Sequence, residues 1–164
     1  FCGAAHDPGT IVRDPQADRP EAWVQAHNHY RACHGVKPLR WSPRLAGYAR
    51  AWAERLLRHC EGVEDLSQWV GAEGPGEQRP HDPKSYSEQP ANGENIWSGQ
   101  GPMSGASHEA LAVENWYREV ETQCPTQGRE PGCGEALNHF TAMVWKDAEE
   151  VGCFSAARQT PLGP

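Results

Sequence analysis

Histidine and glutamate are the side chains in this sequence best equipped for chemistry, and four of them stand out. His139 opens the stretch Asn138-His139-Phe140-Thr141-Ala142-Met143-Val144-Trp145-Lys146, which has no Gly, Pro or acid. An imidazole exchanges protons near neutrality and a carboxylate can serve as base or ligand. Glu119 follows Trp116 by three residues, which on a helix places it about 60° around the axis, at the edge of the buried face. Glu94 stands between Gly93 and Asn95-Ile96-Trp97 and reads as partly buried, where a carboxylate needs partners. His59 lies seven residues past Trp52 and three past Leu56, at the end of an apolar helical stripe. A histidine there is more often a hydrogen-bonded core residue than a ligand. No two of the four share a local motif. The expectation is that they line one polar cleft.

The elements that must position them come next. Phe, Thr, Val and Trp favour extended backbone, so 138–146 is expected to be a central strand, with His139, Thr141, Met143 and Trp145 on one face. Asp18-Arg19-Pro20-Glu21 reads as a helix start capped by Asp18, and Trp23, Ala26, His27 and Tyr30 repeat at helical spacing up to Gly35. His27-Asn28 reads as a hydrogen-bonded anchor between this helix and a loop. Ser42-Pro43 opens a second helix with the stripe Leu45, Tyr48, Ala49, Trp52 and Leu56. Ser107 caps a third that runs to about Thr122 and buries Ala112, Val113, Trp116 and Val120; Glu114 falls on its surface. A turn at 147–150 leads to a second short strand over 151–156. Helices followed by strands, without a βαβ rhythm, indicate α+β.

Composition bounds the rest. With 164 residues, one domain is expected. Only 37% of residues are apolar, but seven are Trp, enough for a modest core. A formal charge of −7 with no basic run argues against nucleic acid and anionic membrane as partners. No apolar run reaches the ~20 residues that span a bilayer, so the chain is not expected to be transmembrane. The chain starts at Phe1 without Met or an apolar leader, so a signal peptide, had there been one, is expected to be gone already. Six Cys in a Gly- and Pro-rich chain point to disulfides and an extracellular or cell-surface setting. Cys124 and Cys133 bracket a turn-rich loop and are the easiest local pair. Residues 1–17 read as an N-terminal arm, 18–156 as the domain and 157–164 as a tail. Within the domain, 61–92 is a long acidic insertion: seven Asp or Glu against one Arg and one Lys.

Ala26-His27-Asn28-x-x-Arg31, Gly35-Val36-x-Pro38-Leu39-x-Trp41 and Leu45-Ala46-x-Tyr48-Ala49-x-x-Trp52-Ala53 resemble the first half of a CAP domain, the fold of cysteine-rich secretory, venom-antigen and pathogenesis-related proteins. Gly93-Glu94-Asn95-Ile96, Trp116-Tyr117-x-Glu119 and His139-Phe140-Thr141-Ala142-Met143-Val144-Trp145 continue the resemblance in the same order. It implies an α-β-α sandwich with a small antiparallel sheet between helical layers. It also implies a cleft of two His and two Glu, at His59, Glu94, Glu119 and His139. A divalent cation, zinc first, is implied on His59 and His139. The implied role is a non-enzymatic binding module, without catalytic residues, in an extracellular or surface assembly with a protein partner. A sterol or lipid carrier and a metal-dependent hydrolase are the alternatives. The chain departs from the family pattern in three ways. The segment between His59 and Glu94 is long, which makes His81 the alternative to His59. The family's end motif is absent before Pro164, as in a fragment of a longer protein or in a chain whose partner supplies the missing strand by edge pairing. Cys153, which commonly pairs within that end, is left with Cys2, Cys33 or Cys60.

Overall fold

The computed structural model describes residues 11–12, 19–59, 93–98, 107–123 and 138–158, without the side chains at positions 11, 12, 58, 59, 122, 123, 157 and 158. In chain order the elements are β1 (Ile11–Val12), α1 (Pro20–Cys33), β2 (Arg40–Trp41), α2 (Pro43–His59), α3 (His108–Gln123), α4 (His139–Met143), β3 (Glu150–Val151) and β4 (Ala157–Arg158). The N-terminal arm beyond 11–12, the acidic insertion, the Cys124–Cys133 loop and His81 lie outside the described residues.

Helix α1 starts at Pro20, whose fixed φ suits the first helical position. Its cap is Arg19, which makes no side-chain capping bond; Asp18, the expected cap, lies outside the described residues. The other end closes as a Schellman turn. Gly35 takes φ 66°, its N–H donates to Ala32 O, and Val36 N–H donates to Arg31 O. Asn28 then ties the helix to the following loop by pairing with both backbone groups of Leu39, at 3.0 and 2.7 Å.

Helix α3 forms where its apolar spacing predicts. The Ser107 hydroxyl accepts from Ala110 N–H at 3.2 Å, and Ala112, Val113, Trp116 and Val120 are buried. Helices α1 and α3 meet along a seam that runs from the Arg19–Glu109 ion pair, through Trp23 stacked on Trp116, to Tyr30 stacked on Tyr117. Trp23, Ala112, Val113, Trp116 and Met143 form the main core cluster. Burial of each large side chain contributes about 2–3 kcal/mol. Helix α2 adds a smaller cluster of Trp52 and Leu56 against Ile96. Tyr48, expected in its buried stripe, is 44% exposed and lies under the Arg44 guanidinium.

The segment read as a central strand is different. Residues 139–143 form a short helix, so His139, Thr141, Met143 and Trp145 do not share a strand face. Phe140, Thr141 and Met143 are buried, while Trp145 is 53% exposed. The cause is local. Asn138 Oδ1 accepts from Thr141 N–H at 2.8 Å and Thr141 Oγ1 accepts from Asn138 N–H at 3.0 Å, a reciprocal cap that outweighs the β preference of Phe, Thr and Val.

The strands correct the expectation too. β2 pairs with β3 in parallel, Arg40 opposite Glu150 and Trp41 opposite Val151. Antiparallel pairing joins β1 to β4. Among the described residues there are thus two separate two-stranded ladders rather than one antiparallel sheet. The strand expected over 151–156 is confined to Glu150–Val151, with β4 starting at Ala157. The mixed helical and strand character stands.

A buried cation links the two ends of this framework. The Arg31 side chain is fully buried and donates to four carbonyls: Lys37 O at 2.8 Å, Met143 O at 2.7 Å, Trp145 O at 3.0 Å and Ala148 O at 3.2 Å. It satisfies the C-terminal end of α4, where a positive charge is favoured. Cys33 and Cys153 carry free thiols, and burial pushes the Cys153 thiol up to about 12.

Candidate functional site

Glu119 and His139 meet across the α3–α4 contact. One carboxylate oxygen of Glu119 lies 2.7 Å from His139 Nδ1. The other accepts from the backbone N–H of His139 at 2.8 Å and of Phe140 at 3.4 Å. The carboxylate therefore holds both the first turn of α4 and the ring that this turn carries. Each side chain is 33% exposed. With an anion as partner, Nδ1 carries the proton, and the ring presents Nε2 on its other edge. Trp116 stacks on the imidazole, centroids 6.4 Å apart with an interplanar angle of 30°.

The segment 93–98 packs against the pair. Asn95 Nδ2 donates to His139 O at 3.0 Å, and Ile96 O accepts from Trp116 Nε1 at 3.1 Å. Glu94, next to Asn95, is half-buried. On its other side Ile96 packs against Trp52 and Leu56 of α2. His59 ends that helix, but its side chain lies outside the described residues. Of the four expected groups, the structure brings Glu119 and His139 into direct contact, and it places the backbone neighbours of Glu94 against α4.

Two further candidate residues, His27 and Glu114, are separate from this pair. His27 is buried, and its Nδ1 lies 2.9 Å from Trp23 O one turn back in α1; burial lowers its proton affinity, so it is neutral, and the expected anchor from helix to loop is made by Asn28 rather than by His27. Glu114 pairs with Arg118 at 2.7 Å on the surface of α3, also as expected. Sequence reasoning missed three positioning residues. Asn138 was legible through its Asn-x-x-Thr spacing. Asn95 and the stacking of Trp116 depend on contacts between distant segments and leave no local signal.

Among the described residues, no three His, Cys, Asp or Glu side chains lie close enough together to hold a metal ion. The donor chemistry of the observed pair nonetheless fits one. A carboxylate on Nδ1 is the usual outer partner of a metal-binding histidine, fixing its tautomer and orientation.

Comparison with known proteins agrees in extent and in kind. The family model described as the cysteine-rich secretory protein family, CAP, matches residues 24–159. "Pathogenesis-related protein 1" of Arabidopsis thaliana is 29% identical over 146 residues, covering 88% of this chain and 72% of that protein. "Pathogenesis-related protein 1A" of Nicotiana tabacum is 30% identical over 131 residues, covering 80% and 62%. A "probable pathogenesis-related protein" of Candida albicans is 33% identical over 135 residues, covering 79% of this chain and 29% of its own length. The chain thus spans well under the full length of these relatives. No solved structure matches it.

Proposed function

The chain belongs to the cysteine-rich secretory protein (CAP) family, and from that premise we propose that it is a non-enzymatic extracellular binding module. Its cleft, formed by His59, Glu94, Glu119 and His139, holds a divalent cation, zinc first. His59 and His139 are the ligands; Glu119 fixes the His139 ring, and Glu94 adds negative charge beside it. Bound there, the cation would supply a fixed positive charge on which an anionic group of a protein or lipid partner docks. The observation that carries this reading is the 2.7 Å contact of Glu119 with His139 Nδ1, made by a carboxylate that also grips the backbone of α4. The packing of Ile96 on the α2 cluster supports bringing the end of α2, and with it His59, toward the same segment. The secretory setting rests on the family and on the six cysteines. Among the described residues, no helix is long and apolar enough to cross a membrane.

Calorimetric titration with zinc tests the reading. The unmodified chain binds, His139→Ala and His59→Ala lose binding, and Glu119→Gln weakens it roughly 10- to 100-fold, as loss of an outer partner does. Equal affinity in all four proteins would sink the proposal. Ester or peptide turnover that disappears in His139→Ala would instead make the protein a hydrolase.

A further inference from the structure

A second cluster of reactive side chains lies at the C-terminal end of α1, apart from the cleft. Tyr30 of α1 and Tyr117 of α3 stack with ring centroids 4.0 Å apart and an interplanar angle of 21°. His34 Nε2 lies 3.1 Å from the Tyr117 hydroxyl. Phe140 closes the cluster edge-on to both Tyr117 and His34. All three polar rings are half-buried rather than sealed in the core. Burial disfavours the charged imidazolium of His34 and the ionised form of both phenols. The resting cluster is therefore neutral. A neutral imidazole accepts the Tyr117 O–H bond and is a ready base for its proton.

A phenol loses an electron far more easily when a base takes its proton in the same step, and a second ring stacked on it supplies a coupling partner. We propose that Tyr30 and Tyr117 form an oxidative coupling site, where a peroxidase-type one-electron oxidant driven by hydrogen peroxide joins the rings as dityrosine, with His34 accepting the Tyr117 phenolic proton. Each ring loses one electron and one phenolic proton, giving two tyrosyl radicals. Their ortho carbons join in one C–C bond, and the two displaced ortho hydrogens restore the phenols. In sum two electrons and two protons leave the pair, and one hydrogen peroxide takes them up to become two waters. The product is a covalent staple across the α1–α3 seam. It does not depend on the cleft or on any metal.

Treating the full chain with peroxidase and hydrogen peroxide tests this. Cys33 lies one turn from Tyr30 with an exposed free thiol that would consume oxidant, so Cys33→Ser serves as the background. The expected product is a monomer that is two hydrogens lighter, with dityrosine fluorescence and a cross-linked peptide pair containing Tyr30 and Tyr117. Tyr30→Phe and Tyr117→Phe, which keep the rings, abolish it. His34→Gln, which can accept a hydrogen bond but cannot take the proton, slows it roughly tenfold or more. Coupling between chains, or oxidation at the exposed Tyr48 or Trp145 with Tyr30 and Tyr117 unchanged, would overturn the proposal. So would an unaltered rate in His34→Gln.

Discussion

Two imidazoles touch the same indole and behave differently. His27 and His139 both pack on Trp116, with centroids 6.1 and 6.4 Å away. His27 is buried against a backbone carbonyl, whereas His139 is one-third exposed and faces a carboxylate. For His27 the folded state disfavours the proton, so its affinity lies below the ordinary value of 6.5. The unfolded chain then binds more protons between the two values. Its contribution to stability is complete above about pH 6.5 and is lost as the pH falls from there through the lowered value. His34 acts in the same direction. Melting temperatures measured between pH 8 and pH 5 should fall below about 6.5, with a shallower fall in His27→Gln. The roles of Asn28 and Glu119 were legible, one as the tie from helix to loop and the other from its angle on the helix. The direct Glu119–His139 bond was not, because the two residues lie 20 positions apart on different elements and share no local motif.

At the scale of elements, α4 shows how propensity misleads. A five-residue helix has too few hydrogen bonds to stand alone, so its neighbours must hold it. They do so at both ends: Asn138 and Glu119 bind its first amides, and Arg31 binds Met143 O. Phe-Thr-Ala-Met-Val suits a strand in isolation; the Asn138–Thr141 cap and the packed carboxylate decide otherwise. Asn138→Ala should therefore cost about 1 kcal/mol in urea unfolding. The long helices were legible because α3 repeats its apolar residues along one face from Ala112 to Val120, over about two and a half turns. The short ladders were not, since two-residue strands carry no period to read.

For the whole molecule, the closeness of distant segments sets what can change. A methyl group placed on Gly152 would run into the backbone of Leu45 and Ala46, where the β3 end meets the start of α2. That contact is backbone against backbone and cannot be relieved by turning a side chain. Gly152→Ala should destabilise the fold by about 3 kcal/mol or more. Gly47, in the second turn of α2, has open space around it. Gly47→Ala should stabilise by roughly 0.5–1 kcal/mol, because alanine is the better helix former. Chemical denaturation of the two variants side by side checks both signs. No reading of residue types near position 152 announces this crowding; it arises from where the chain returns.

The ring of carbonyls around Arg31 also sets the order in which the protein can be made. Three of its four acceptors lie 112, 114 and 117 residues further along the chain. While a ribosome is still short of Ala148, the guanidinium has no dry place to go, and the first helix cannot seat itself. Seating of α1 must wait for Met143 to Ala148 to emerge, so the segment between them stays open while it is being made.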